Sequence, residues 1–240
     1  MKQVIFIPAR MGGTRLPGKP LISILGKPII QHVWERCIQA HPSELIFVIT
    51  EDEVIKKFCD QNKIQCLITK KAETAIDRVK FGSDIIDADV YINVQGDEPI
   101  VNVDDIKKIL EYTELHPERV VFGKTKATED DFFDHSKAKV VCNQSGRLIY
   151  SSRAGIPLSN KGKFVGAERA IWIYGFHKFA LDSYHHSSGK TKLDMTEDNE
   201  IIRFLEIDIP VYCIDLIGDS WAVDEFKDLE VVKNRMIGKE

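Results

Sequence analysis

No run of apolar residues in this chain approaches the ~20 needed to cross a bilayer. Met1-Lys2-Gln3 leads straight into a strand-like run, with neither the apolar core nor the cleavage site of a secretory signal. No membrane partner is therefore expected, and a cytoplasmic location is. An excess of basic charge is missing as well: Lys and Arg number 33 against 37 Asp and Glu, for a net charge of −4, and the cations are spread along the chain. That argues against a nucleic-acid partner held on a broad basic face, while leaving room for a local cationic pocket. The five cysteines (Cys37, Cys59, Cys66, Cys142 and Cys213) include no C-x-x-C pair, and most sit in apolar stretches such as Val140-Val141-Cys142. They are expected to be buried reduced thiols. No Ser/His/Asp or Cys/His arrangement signals a covalent nucleophile. His177 and the adjacent pair His185-His186 do not suggest a metal site, because neighbouring histidines seldom converge on one ion. Repeats, low-complexity tracts and linkers are absent too. With 43% apolar and 29% charged residues over 240 positions, one folded domain spanning 1–240 is expected.

The hydrophobic pattern alternates between strand and helix periods. Val4–Pro8, Leu45–Ile49 and Val90–Val94 read as buried strands, and Ile29–Ala40, Val54–Gln61 and Asp104–Leu115 as amphipathic helices. Strands separated by helices of this length predict right-handed βαβ crossovers and a mainly parallel sheet, with ligands beyond the carboxyl ends of its strands. From about 120 to 176 the pattern turns β-rich, with short runs at Val120–Lys126, Ala138–Cys142, Arg147–Tyr150 and Ala170–Phe176 and a hairpin-like turn at Asn143–Gly146. This region reads as a smaller insertion or sheet extension. A closing helix is expected over Glu225–Met236.

The most informative segment follows the first strand: Arg10-Met11-Gly12-Gly13-Thr14-Arg15-Leu16-Pro17-Gly18-Lys19-Pro20. Gly12 and Gly13 let backbone N–H groups approach phosphate oxygens, and Arg10, Arg15 and Lys19 bring three cations to one polyanion. From Gly13 the segment matches the opening G-x-x-x-x-G-K of a Walker A loop, but Pro20 stands where that motif needs a metal-binding hydroxyl. Any metal must find its ligands elsewhere. The plain alternative is a Gly/Pro turn with solvated cations. A second segment, Asn93-Val94-Gln95-Gly96-Asp97-Glu98-Pro99, ends the strand Val90–Val94. An acidic pair at a strand end suits a hard cation such as Mg²⁺, which commonly takes one or two carboxylates plus substrate phosphates. Asp224 offers a further carboxylate, although its place before the last helix also fits an N-cap.

With these segments in view, the chain resembles the 3-deoxy-manno-octulosonate (Kdo) cytidylyltransferase, or CMP-Kdo synthetase, family from end to end. Ile7 to Leu21 is similar to that family's I-P-A-R-x-x-S-T-R-L-P-G-K-P-L, with Gly13 in the serine position, and Asn93–Pro99 is identical to its N-V-Q-G-D-E-P. Tyr150–Pro157 is similar to Y-F-S-R-A-x-I-P, Ile173-Tyr174-Gly175-Phe176 to I-Y-G-Y, and Val223-Asp224 to the start of V-D-T. The resemblance implies a Rossmann-like nucleotidyltransferase fold, a homodimer and a role in lipopolysaccharide precursor synthesis. It also implies that CMP passes from CTP to an acidic ulosonate. Arg10, Arg15 and Lys19 would hold the CTP phosphates, Asp97 and Asp224 would ligate Mg²⁺, and Arg78 and Gln95 would face the nucleotide or sugar. Arg153, Tyr174 and Glu200, with Gln95, would form the sugar site.

Two segments depart from the family. Its S-G-T-D/E-R appears as Thr74-Ala75-Ile76-Asp77-Arg78, and the H-x-G before I-Y-G as Ala170-Ile171-Trp172. A hydroxyl and an imidazole are lost, and an indole fills a glycine's space. Ile76 and Trp172 either pack together in the core or mark an altered sugar pocket. In the second case an 8-amino-8-deoxy analogue of Kdo is the leading substrate, its ammonium met by the cluster Asp194, Glu197, Asp198 and Glu200. A solvated helix start would explain the same cluster, and Lys190-Thr191-Lys192 reads as a solvated loop. A nucleotidyltransferase for another sugar and a non-catalytic nucleotide-binding module are the competing functions.

Overall fold

The computed structural model describes residues 1–13, 15–187 and 189–238, which leaves Thr14 of the glycine loop outside the described residues. Strand β1 (Gln3–Pro8) precedes that loop and a small hairpin of β2 (Ser23–Ile24) and β3 (Lys27–Pro28). The alternating half continues through α1 (Ile29–Cys37), β4 (Ile46–Thr50), α2 (Glu53–Gln61), β5 (Cys66–Ile68), α3 (Ala75–Ser83), β6 (Val90–Val94) and α4 (Val103–Leu115). The second half holds β7 (Val120–Ala127), α5 (Glu129–Phe133), β8 (Lys139–Cys142), β9 (Leu148–Ser152), β10 (Ala167–His177) and α6 (Lys178–His186). It ends with α7 (Lys192–Glu197), α8 (Ile202–Glu206), β11 (Val211–Asp215) and α9 (Phe226–Met236).

The large sheet runs β11-β7-β10-β6-β1-β4-β5, with β8 paired to β10 and β9 to β8. Strands β6, β1, β4 and β5 are parallel, as are β7 and β11, whereas β10 is antiparallel to both β6 and β7. Every residue of β1 is buried, as expected of a strand covered on both faces. The alternating pleat sends Val4 and Phe6 to one side, against Ile76 and Val79 of α3 and Leu181 and Tyr184 of α6. Ile5 and Ile7 go to the other, against Val33 of α1, Ile55 of α2 and Ile106 and Ile109 of α4. Each fully buried aliphatic side chain of this kind contributes roughly 1.5–3 kcal/mol. A third, smaller cluster of Leu16, Ile24, Ile29, Val223 and Val232 fastens α9 beneath the glycine loop.

Two local features differ from the sequence expectations. No amphipathic stripe announces α3, because Ile76 through Ser83 are all buried, charged Asp77, Arg78 and Lys80 included. Its signal lies at the start, where the Thr74 side chain accepts the Asp77 amide proton at 3.1 Å. Asp224 is not the N-cap of α9. Glu225 occupies that position, and the Asp228 carboxylate accepts from the amides of both Asp224 and Glu225 at 2.9 and 2.8 Å. The Asp224 side chain is thereby left for other work. Of the thiols, Cys37, Cys59 and Cys213 are buried, while Cys66 and Cys142 are half-buried.

Candidate active site

Because β1, β4 and β6 are parallel neighbours, their carboxyl ends share one rim, and a cleft of about 390 Å³ opens there. That volume suits a small-molecule site. The glycine loop forms one wall. The Met11 carbonyl accepts from the amides of Gly13 and Gly18, both at 3.0 Å, and closes the loop on itself. Gly18 holds φ +71°, a left-handed backbone that favours glycine. Arg10, Gly13, Arg15 and Lys19 line the cleft, whereas Gly12 stands exposed outside its lining. The acidic segment after β6 packs directly against the end of β1. A Cβ on Gly96 would lie 2.4 Å from the Pro8 carbonyl oxygen, so only glycine admits this approach.

The two halves of the sequence pattern meet at Lys19. Its Nζ donates to Asp97 Oδ2 at 2.6 Å and to Asp224 Oδ1 at 3.2 Å, and Arg15 Nη2 lies 3.2 Å from the same Asp224 oxygen. Burial opposes the ammonium charge, but the paired carboxylates outweigh it and raise the Lys19 pKa above the ordinary lysine value. Asp224 arrives from the far end of the chain because the Val223 amide donates to the Asp97 carbonyl at 2.9 Å. Glu98 turns away from this group and accepts from Ser220 Oγ at 2.5 Å. Burial pushes its carboxyl up to about 7 against that hydrogen bond, with the Asp97 charge adding to the rise.

The donor set fits magnesium. Two carboxylates from separate segments already converge on one cation, and both offer hard oxygen ligands. Among the described residues no group of three or more His, Cys, Asp or Glu side chains is placed to hold a metal, so phosphate oxygens would have to complete the shell.

Arg78 lines the cleft but is already paired: its Nη2 donates to Glu51 Oε2 at 2.7 Å and its Nη1 to Thr69 Oγ1 at 3.2 Å. Burial alone would raise the Glu51 pKa, yet Arg78 holds that carboxyl below the usual range. Gln95 lines the same wall. The sequence reading passed over Glu51 and its neighbour Asp52, whose Oδ2 accepts the Met11 amide proton at 2.7 Å. Their signal is the one that exposed Asp97 and Glu98, an acidic pair at the end of a buried strand.

The opposite end of the cleft is built from Arg153, Trp172 and the segment 190–200. Arg153 also lines it, with its guanidinium committed to the carbonyls of Ser136, Glu197 and Asp198 at 2.8, 3.1 and 2.9 Å. In β10, Ile171 pairs with Gly123 but Tyr174 with Phe122, which leaves Trp172 and Ile173 without counterparts on β7. At this bulge the half-buried Trp172 indole lines the cleft. Ile76 is fully buried, and its amide rather than its side chain addresses the site. Tyr174 is buried and outside the lining, reaching the cleft only through a 3.4 Å hydrogen bond to Glu200 Oε1.

The acidic cluster is not a solvated helix start. Asp194 is buried in a 2.8 Å pair with Arg203, Ser152 Oγ donates to Glu197 at 2.8 Å, and Asp198 pairs with Arg153 at 3.3 Å. Glu200 lines the cleft and accepts from the Ile76 amide at 3.3 Å, and it forms no ion pair among the described residues. Burial pushes its carboxyl up to about 7, opposed by the Ile76 amide and helped by the Asp194 charge. Lys190 is exposed in a loop, as expected, and also lines the cleft, while Thr191 caps α7 through the Asp194 amide at 3.1 Å and Lys192 opens that helix.

Comparison with known proteins agrees with this geometry. A family model described as cytidylyltransferase matches residues 4–210. The chain is 30% identical over 237 residues to the 3-deoxy-manno-octulosonate cytidylyltransferase of Escherichia coli, covering 98% of this chain and 96% of that protein. It is 33% identical over 247 residues to 3-deoxy-manno-octulosonate cytidylyltransferase 2 of Actinobacillus pleuropneumoniae serotype 5b (strain L20), covering 97% and 98%. The structure of CMP:2-keto-3-deoxy-manno-octonic acid synthetase complexed with CTP superposes with a TM-score of 0.92 at 29% identity, over 100% of both chains.

Proposed function

From a chain that belongs to the 3-deoxy-manno-octulosonate cytidylyltransferase family, we propose a CTP-dependent enzyme that transfers CMP to the anomeric hydroxyl of Kdo or a close analogue and releases pyrophosphate. The observation that carries this reading is Lys19 Nζ bridging Asp97 and Asp224 at the rim of the cleft. Cations for a triphosphate and acids for its counter-ion sit within one hydrogen bond of each other.

In this reading the anomeric hydroxyl gives up its proton to solvent as its oxygen attacks the α-phosphorus, the bond from that phosphorus to the bridging oxygen of the β-phosphate breaks, and pyrophosphate leaves. Arg10, Arg15 and Lys19 hold the phosphate tail, with Gly13 in the cleft wall beside them. Lys19 and Arg15 neutralise the charge that gathers on the leaving group, and the step depends on positioning and electrostatic stabilisation. Asp97 and Asp224 would hold Mg²⁺, which when bound supplies polarisation of the α-phosphate and a lower pKa for the attacking hydroxyl. Arg78 and Gln95 shape the wall beside the nucleotide. Arg153, Trp172 and Glu200 form the sugar end, and Tyr174 orients the Glu200 carboxylate.

The finer reading concerns the sugar. Among the described residues Glu200 faces the cleft with the Ile76 amide and the Tyr174 hydroxyl as partners and makes no ion pair, and this favours the 8-amino-3,8-dideoxy analogue, whose ammonium would complete the pair. The enzyme is further proposed to work in the cytoplasm as a homodimer, supplying lipopolysaccharide synthesis. Exposed Ile149, Leu158 and Val165 in the β-rich region support such pairing, and no described helix is long and apolar enough to cross a membrane. Pyrophosphate release measured with CTP, UTP, GTP and TTP against Kdo, its 8-amino analogue, a nonulosonic acid and a sugar 1-phosphate tests the whole assignment. CTP with an ulosonate is expected to dominate, the amino sugar giving the higher kcat/KM. Turnover only with another nucleotide or a sugar 1-phosphate would refute the function, and preference for Kdo would refute the amino-sugar reading alone.

A further inference from the structure

The carboxyl end of β4 carries Glu51 and Asp52, two acids beside a cleft read as a triphosphate site. Neither is among the residues lining the cleft. A carboxylate near a polyanion opposes binding, so their placement calls for a compensating role. Their hydrogen bonds point to one. Asp52 Oδ2 accepts from the Met11 amide at 2.7 Å, and the Asp52 amide donates to Thr50 Oγ1 at 3.1 Å. Met11 is the residue whose carbonyl gathers Gly13 and Gly18, so anchoring its amide fixes the turn that presents Arg10, Arg15 and Lys19. Glu51 faces the other wall. Its Oε2 accepts from Arg78 Nη2 at 2.7 Å and from the Ala72 amide at 3.3 Å. Arg78 also donates to Thr69 Oγ1, which in turn donates to the Thr50 carbonyl at 3.3 Å.

We infer that Glu51 and Asp52 are positioning residues for the nucleotide: one dipeptide at the end of β4 ties the phosphate loop and the lead-in to α3 to the same strand, setting the spacing of the two walls before CTP arrives. The inference rests on the cytidylyltransferase reading above. Prior fixation removes an ordering cost that binding would otherwise bear. It therefore appears in CTP affinity and hardly at all at the sugar end, where neither residue makes a contact.

The test measures KM for CTP, KM for the sugar acceptor, and kcat in full-length Asp52→Ala, Asp52→Asn and Glu51→Gln, with CTP·Mg²⁺ titration calorimetry alongside. Loss of the hydrogen bond to the Met11 amide in Asp52→Ala, and loss of the counter-charge that holds the buried Arg78 guanidinium in Glu51→Gln, are each expected to raise KM for CTP about ten-fold or more. KM for the acceptor and kcat should stay within about three-fold. Asp52→Asn, whose amide oxygen can still accept from Met11, should recover most of the CTP affinity, which a purely structural role would not require. CTP affinity within about two-fold of wild type in Asp52→Ala, or equal losses towards both substrates, would overturn the inference. Should the alanine form fail to fold, the near-isosteric Glu51→Gln decides by the same split. Wild type that binds no CTP would sink the functional reading as well, whereas tight binding indifferent to positions 51 and 52 sinks only the positioning.

Discussion

Replacing Glu200 by Gln should stabilise the protein, and increasingly so as pH rises. The wild-type carboxyl is raised from 4.5 to about 7, chiefly by burial. Across that interval the folded state holds the Glu200 proton while the unfolded chain has released it. Stability linked to this group is therefore fully present below about pH 4.5 and is lost as pH climbs through 7. The ceiling on the loss is about 3 kcal/mol at 1.36 kcal/mol per pH unit. Since Glu200 is partly open to the cleft, solvent screening reduces this to about 1–2 kcal/mol. Gln keeps an oxygen for the Ile76 amide but carries no charge. Thermal unfolding of both proteins without ligand, at intervals from pH 5 to 8.5, should show melting points that nearly coincide at the acid end. At the alkaline end the variant should melt several degrees higher, at roughly 2–4 °C per kcal/mol for a chain of this size. A difference that does not vary with pH, or a variant less stable at pH 8.5, would refute the placement of an unpaired carboxylate there. If an ammonium-bearing sugar is the ligand, its saturating presence should raise the wild-type melting point more than that of the variant.

Two further substitutions probe the phosphate end. Asp97→Asn removes one of the two acids around Lys19, and Mg²⁺-dependent turnover should fall about 10³-fold or more with the circular dichroism spectrum unchanged; normal magnesium-dependent activity would show that Asp97 has been given the wrong role. Gly96→Ala places a methyl 2.4 Å from the Pro8 carbonyl oxygen and 3.2 Å from Ile30 Cδ1. It should cost about 1–3 kcal/mol in denaturant unfolding and reduce kcat by separating the acidic segment from the cationic loop, and wild-type stability in this variant would contradict the close approach.

Much of the phosphate end was legible in the sequence, for a physical reason. Val4–Pro8 and Val90–Val94 are buried on both faces and read as continuous apolar runs, so the polar residues after them had to fall at strand ends. Glycines and opposite charges there then indicated what kind of ligand those ends could meet. The distant partner was harder. Asp224 stands next to a helix start, and nothing local discloses that Glu225 takes the cap while Asp228 satisfies the amides. The sugar end was mostly opaque. Four acids within seven residues look alike on paper, and their separation into one buried pair, one hydroxyl acceptor, one surface pair and one cleft-facing group depends on Arg203, Ser152 and Arg153. Helix α3 was hidden because a helix buried all round loses its periodicity.

The reversed direction of β10 brings Trp172 to the cleft by a different route from Lys19 and Asp97. A parallel strand contributes to such a rim only what comes after it. An antiparallel one enters from the rim, and its register against Val94 starts at Ile173, so the residues just before overhang the opening. Trp172 can therefore be exchanged without disturbing the segments after β1 and β6 that carry Lys19 and Asp97. A change at that end of the cleft leaves the contacts of Lys19 with Asp97 and Asp224 untouched.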